Sequence, residues 1–280
     1  MQFTVERTNK DVLTIRHDNV VVGFKQRYLL MSDVHFDSPH CDRRLLTKHL
    51  NQAREYGAGV ICVGDWFDAM GGKNDRRGSK STIRGEDKVD NYFDALVDRS
   101  AEFLEPYRDL LVMLSDGNHE TAITKHNETD LLERLCRQLG TNHMGYSGFI
   151  RFMFQGEKGN RTTRRYYWHH GYGGGGPVTK GVIGNQRRAA IIDADIFHTG
   201  HVHEAITEEF VRVKMNDSGR VYLSTELHII TPGYKQEYDL RGGFQLEKGN
   251  APKSVGAYWL DFSYDSTQLG NVGFTPNRAN

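Results

Sequence analysis

Five short groups of metal-capable residues punctuate this chain: Asp33-x-His35, Gly64–Asp65, Gly117–Asn118–His119–Glu120, His169–His170–Gly171 and Gly200–His201-x-His203. Carboxylates, an amide oxygen and neutral imidazoles together suit a borderline divalent ion such as manganese, iron or zinc. The three cysteines, Cys41, Cys62 and Cys136, lie outside these groups, which argues against a structural cysteine–zinc site. Each group alone has a plainer reading. Asp-x-His and Gly-Asp after a strand are commonly polar turns, and Gly-Asn-His is turn-like too. The spacing His201-x-His203 is more pointed, because alternate residues of an extended segment face one side.

The elements that would carry these groups are short apolar runs of strand length. They are Arg27–His35, Gly59–Asp68, Asp109–Glu120, Arg164–Gly171 and Asp195–His203, each apolar first and ligand-rich at its carboxyl end. Helical patterns separate them. Asp42 caps a stripe of Leu45, Leu46, His49, Leu50 and Ala53 closed by Gly57; a second stripe runs from Val89 to Leu104, and Leu131, Leu132, Leu135 and Leu139 form a third stopped by Gly140. Alternating strands and helices predict an α/β core, and in open α/β sheets sites form at the carboxyl edge. Phe149–Phe154 with Arg164–His169, and Glu208–Lys214 with Val221–Leu227, read as hairpins, and Gly256–Phe262 as a last strand. One domain is expected over residues 1–265, followed by a loosely held polar tail, 266–280.

Composition is that of an ordinary globular chain, with 38% hydrophobic and 26% charged residues and zero formal net charge. Nothing global draws it to nucleic acid or to membranes. Three unpaired, widely spaced cysteines, no apolar leader in MQFTVERTNK and no membrane-length apolar run predict a cytoplasmic protein with no membrane partner.

Taken in order over about Leu29 to His203, the five groups resemble the signature of the calcineurin-like metallophosphoesterases. The resemblance implies a two-sheet β-sandwich flanked by helices, a four-layer αββα fold with a dinuclear site at one edge. It assigns Asp33, His35, Asp65 and His203 to one divalent ion and Asp65, Asn118, His170 and His201 to the other, with Asp65 as the bridge. Two Mn2+ ions are the expected cofactors, with Fe or Zn as alternatives. His119 matches the histidine that assists the leaving group or steadies transition-state charge, and a metal-bridging hydroxide is the implied nucleophile. The family places its ligand directly before glycine, which selects His170 over His169. His198 reads as a supporting residue in its strand, and Asp37, Asp68 and Glu120 as solvated turn carboxylates.

The family's protein Ser/Thr phosphatases carry an arginine before their GNHE and a GDxVDRG block. Here Asp116 stands before Gly117 and the second block reads GDWFDAM, so SDVHFD with GDWFD looks more like the DNA-repair nucleases and related phosphodiesterases. A phosphoester substrate, DNA, RNA or a nucleotide, is therefore expected. A phosphomonoesterase or protein phosphatase is one alternative and a non-catalytic metal-bound scaffold another. Arg76, Arg77 and Arg84, in a basic insert after the second block, are candidate phosphate contacts. Tyr234, Tyr238 and Phe244 would either stack on bases or pack the sandwich edge, and packing is preferred. Gly171–Gly176 formally matches GxGxxG, but no acidic residue ends the next strand, so it reads as a flexible loop beside the metal centre.

Overall fold

The computed structural model describes residues 3–71, 83–156, 159–174, 176, 178–236, 238, 249, 251–265 and 272–279. The chain opens with a hairpin of β1 (Thr4–Asn9) and β2 (Val12–His17), followed by β3 (Lys25–Met31), α1 (Arg43–Tyr56), β4 (Gly59–Val63), α2 (Tyr92–Leu104) and β5 (Leu111–Ser115). Next come α3 (Asn118–Asn127), α4 (Leu131–Leu139), β6 (Asn142–Met144), β7 (Ser147–Gln155) and β8 (Arg161–His169). The remainder supplies α5 (Val182–Ala189), β9 (Ile196–Thr199), the long hairpin β10 (Ile206–Met215) and β11 (Val221–Ile230), β12 (Tyr258–Ser263) and β13 (Gly273–Arg278).

These strands form two sheets, one in the order β1-β2-β7-β8-β9-β11-β10 and one in the order β13-β12-β3-β4-β5-β6. Side-chain alternation explains why they stack. In β3, Tyr28 and Leu30 enter the core between the sheets, where Ile61, Phe152, Tyr166, Trp168 and Phe262 meet them. Leu29 and Met31 enter a second core with Leu46, Leu50, Leu96, Leu132 and Leu135 from the helices. Tyr167 and Phe197 on the outer face of the first sheet pack on Ala189 of α5. The layers are therefore helix, sheet, sheet and helix, as expected, although the last layer is a single short helix.

The local signals act through identifiable bonds. Asp42 accepts the Leu45 N–H at 2.9 Å and Gly57 closes α1 at φ 59°. Asp130 accepts the Glu133 N–H at 2.8 Å and Gly140 closes α4 at φ 65°. Two expectations need correction. Val89 precedes α2 and is exposed, because the chain makes a separate short turn over Gly85–Asp87 before the helix begins. The segment after Asp265 is also not merely a tail: Gly273–Arg278 pairs antiparallel with β12. Its polar composition suits an edge strand, and Pro276 is tolerated there because only one side needs ladder donors. Among the described residues no helix is long and apolar enough to cross a membrane.

The edge strand β6 is tied to the rest by His143, whose Nδ1 lies 2.8 Å from Glu133 of α4 and whose Nε2 lies 2.8 Å from Asp116, just before the Gly117 turn. Burial would lower the His143 pKa, but Asp116 and then Glu133 override it and push it up to about 9. A raised folded-state pKa gives stability that is complete below about pH 6.5 and is lost as pH climbs through about 9. Replacement of His143 by Gln should therefore cost about 2 kcal/mol at pH 6 and little near pH 10. Urea unfolding of both proteins at the two pH values checks this.

Candidate metal centre

All seven expected ligands lie just beyond the carboxyl ends of strands. Asp33 and His35 follow β3, Asp65 follows β4, Asn118 follows β5, His170 follows β8, and His201 and His203 follow β9. Parallel pairing of β3 with β4 with β5, and of β8 with β9, points these ends the same way. The two sheets thus deliver side chains from both halves of the sandwich to one edge.

The resulting groups match the expected division. Ligand atoms of Asp33, His35 and His203 lie within 4.8 Å of one another, and so do those of Asp65, His170 and His201. Asn118 Oδ1 completes the second group, 3.0 Å from His170 Nε2 and 2.7 Å from His201 Nδ1. Asp65 Oδ2 lies 3.2 Å from His170 Nε2 and 4.0 Å from His35 Nε2, between the two groups. Asp33, His35, Asp65 and His170 are buried, whereas Asn118, His201 and His203 are half-buried at the mouth.

The donor chemistry fits divalent metal. Both ring nitrogens of His35 are buried without a hydrogen bond, although Nδ1 lies 2.9 Å from Asp68 Oδ1. His170 Nδ1 donates to the Val63 carbonyl at 2.9 Å, which leaves Nε2 to face the carboxylates as a ligand would. Burial pushes His35 down to about 4, so its imidazole is neutral at neutral pH. Burial would raise Asp33 and Asp65, but His203 beside Asp33 and His170 beside Asp65 hold both below the usual carboxylate range. Burial would likewise lower His170, yet Asp65 and Asp33 push it up to about 10. In the metal-free chain, then, an imidazolium supplies the positive charge that the two buried carboxylates require.

The backbone is unusual at these positions. Asp33, His35, Asp65, His201 and His203 all adopt positive φ, between 47° and 68°. The left-handed region costs a non-glycine residue roughly 1–3 kcal/mol, and such strain gathers at functional sites. This corrects the expectation that His201 and His203 share a face of an extended segment. The chain turns there instead, and the two rings fall in different groups. Gly117 and Gly200 are required by close approach, since a Cβ on either would collide with the carboxylate of Asp65 or Asp33 respectively.

His119 opens the first turn of α3. Its N–H donates to Asp65 Oδ1 at 2.9 Å and its Nδ1 donates to the Asp68 carbonyl at 2.7 Å, leaving Nε2 3.9 Å from Asp65 Oδ2. His198 supports the site indirectly. Its Nε2 lies 3.0 Å from the Thr231 hydroxyl, which lies 2.6 Å from the Ser32 hydroxyl, and Ser32 donates to Asp33. His169 is half-buried, accepts the Gly171 N–H at 2.9 Å and falls in none of the ligand groups.

The reading of Asp37, Asp68 and Glu120 as solvated carboxylates is overturned, because all three are buried. Glu120 accepts the N–H groups of Asp65 at 3.0 Å, Gly117 at 2.9 Å and Phe67 at 2.9 Å. Asp37 accepts those of Asp68 at 2.6 Å and Ala69 at 2.8 Å. Burial raises Asp37 to about 6, and burial with the Asp65 charge raises Glu120 to about 8. Ligand turns in a crevice leave N–H groups without helix or sheet partners, and these carboxylates satisfy them.

Sequence reasoning missed the end of β11. There Thr231 joins the hydroxyl chain, the Tyr234 N–H donates to the Asp33 carbonyl at 2.9 Å, and Lys235 Nζ lies 2.9 Å from Asp68 Oδ1. A further apolar run ending in Thr-Pro-Gly was the available signal. Tyr234 is fully buried against His49 and is a packing residue, as preferred. Arg84 donates to the carbonyls of Ser38 and Cys41, bracing that loop, while Arg76, Arg77 and Phe244 fall outside the described residues. A larger groove of about 770 Å³ lies at the opposite end of β3, where Arg27 is already paired with Asp261.

No protein-family model matches the chain, and a search of curated proteins finds no relative. Among solved structures it is similar to a predicted phosphoesterase from Streptococcus pneumoniae, at 11% identity and TM-score 0.35, covering 91% of this chain and 99% of that one. It is similar to zinc-complexed Vps29 from Entamoeba histolytica, at 12% identity and TM-score 0.34, covering 91% and 100%. A metallophosphoesterase from Sphaerobacter thermophilus gives 14% identity and TM-score 0.34, covering 91% and 89%. These likenesses are distant, and the functional reading rests on the geometry of the chain itself.

The Glu120 bonds generate a direct test. At pH 9, above the value of about 8 to which Glu120 is raised, Glu120→Gln replaces one acceptor oxygen by an amide NH2 that must face a backbone donor. Stability should fall by about 2 kcal/mol in urea unfolding, and the Asp65 and Gly117 turns should loosen enough to weaken metal retention through dialysis. A variant as stable and as metal-retentive as the parent would return Glu120 to the surface-carboxylate reading.

Proposed function

We propose that the protein is a metal-dependent phosphoester hydrolase, acting on the phosphodiester bonds of nucleic acid or nucleotides. One observation carries this reading: two ligand groups meet at Asp65, with His119 Nε2 3.9 Å from the same carboxylate. Asp33, His35, Asp65 and His203 would hold one divalent ion, and Asp65, Asn118, His170 and His201 the other. Manganese is the expected metal, with iron or zinc as alternatives. When bound, such a pair neutralises phosphate oxygens and brings the pKa of water toward neutrality.

The protein's own groups do the rest. The Asp68 carbonyl fixes His119 with its proton on Nδ1, so Nε2 faces the crevice and can hold the proton that a departing alkoxide takes up. The hydroxyl chain from His198 through Thr231 and Ser32 orients Asp33, and Glu120 orients the Asp65 turn. Diester preference is supported at the position before Gly117. Asp116 stands there, paired with His143, so no guanidinium reaches from that point to meet the second charge of a monoester dianion. A scaffold has no need of a proton donor aimed at the ligand cluster, and His119 is aimed there.

Loaded with Mn2+, the protein should retain two ions per chain and hydrolyse bis-para-nitrophenyl phosphate faster than the monoester. His119→Ala should lower kcat by roughly a hundred- to ten-thousandfold with metal content unchanged. Asp65→Asn should lose metal from both positions. Elemental analysis alongside the two assays decides. Strong monoester turnover with no diester activity, or a chain that retains no metal, would overturn the reading.

A further inference from the structure

A cavity of about 330 Å³ is lined by the chain neighbours of two ligands, Gly171 next to His170 and Gly200 and Val202 on either side of His201. The outer wall is the loop of Tyr172 and the start of α5. The volume sits at the low end of ligand pockets, roughly 300–1,000 Å³, and suits one small unit rather than a folded partner.

The charge of this cavity is one-sided. Two arginines, Arg187 and Arg188, line it and no acidic residue does. Arg27, Arg134 and Arg212, by contrast, pair with Asp261, Asp94 and Glu226. Arg188 is half-buried, donates to Asn185 Oδ1 at 2.9 Å, and has no carboxylate partner among the described residues. Burial lowers its pKa, as expected for a guanidinium short of counter-charge. Its Cζ lies 4.9 Å from the ring centroid of Tyr172, a residue 61% exposed.

Resting on the phosphodiesterase reading above, we propose that this cavity is a nucleotide subsite. It seats the nucleotide unit next to the scissile phosphate, with Arg188 bonding the adjacent phosphate and Tyr172 stacking on the base. A guanidinium forms bidentate bonds to phosphate, and an aromatic ring stacks on any base without reading its sequence. Gly171 and Gly200, the chain neighbours of His170 and His201, line the cavity and so bring it directly against the ligand turns.

The test compares a single-stranded oligothymidylate with bis-para-nitrophenyl phosphate, which has neither a second phosphate nor a base. Arg188→Gln and, independently, Tyr172→Ser should each lower the ratio of kcat/KM for the oligonucleotide to that for the small diester about tenfold, mainly through KM. Arg188→Lys should recover part of the loss. Ligand-observed NMR with 5′-dAMP on the metal-free full-length chain gives a second readout, and either substitution should weaken that binding about tenfold. Equal losses on both substrates, or none on either, would overturn the subsite. If the unsubstituted protein cleaves neither diester, the catalytic reading fails by itself. In that case 5′-dAMP binding decides the subsite: sensitivity to Arg188→Gln supports it, and indifference overturns it.

Discussion

Two carboxylates, Asp33 and Asp65, are buried at one edge of the sandwich, and the surrounding architecture answers their charge. Each lies near His170 Nε2, at 4.0 Å and 3.2 Å. Removing a carboxylate from water is expensive unless charge and hydrogen bonds replace the solvent. The replacement comes from every direction: imidazoles at His35, His170 and His203, the His119 and His201 N–H groups, and the Ser32 hydroxyl. An arrangement so rich in lone pairs around one point is complementary to cations.

Holding that arrangement costs backbone strain, and the fold sets the strain against rigid neighbours. Five ligand residues occupy the left-handed region, each directly after a strand of the buried core. The strands fix where each turn begins, and the buried carboxylates of Glu120 and Asp37 hold the turn after β4 by binding its N–H groups. Glycine is confined to the points where a side chain would enter the ligand space. Substitution in this support would disturb the centre without touching a ligand, because ligand positions are set by hydrogen-bonded turns rather than by ligand packing.

Much of this was legible in the sequence. The strand-then-ligand pattern placed all seven candidates at one edge, since apolar runs and turn residues are local signals that tertiary structure preserves. Capping by Asp42 and Asp130 and closure by Gly57 and Gly140 were local for the same reason. What escaped was long-range. Glu120 looks like any turn carboxylate until β4 and β5 are seen side by side, bringing it to the N–H of Asp65. Lys235 and Thr231 were invisible as site residues because β11 reaches the same edge only through its parallel pairing with β9. The left-handed turns escaped for a different reason: histidine and aspartate spacing reads alike on an extended strand and on a tight turn. Only the backbone tells them apart.

The two sides of the crevice differ in a way that bears on how a substrate lies in it. Beyond Asp33 and His35 the chain is closed: Gly233 presses on Asp33, the Tyr234 N–H is bonded to the Asp33 carbonyl, and Lys235 occupies Asp68. Cation, carboxylate and imidazole there satisfy one another. Beyond His170 and His201 the cavity is lined by Gly171, Gly173, Gly174 and Gly200 together with Arg188, which has no carboxylate partner among the described residues. On the phosphodiesterase reading proposed above, a nucleic acid strand at this edge would meet the Arg188 guanidinium on the His170 side.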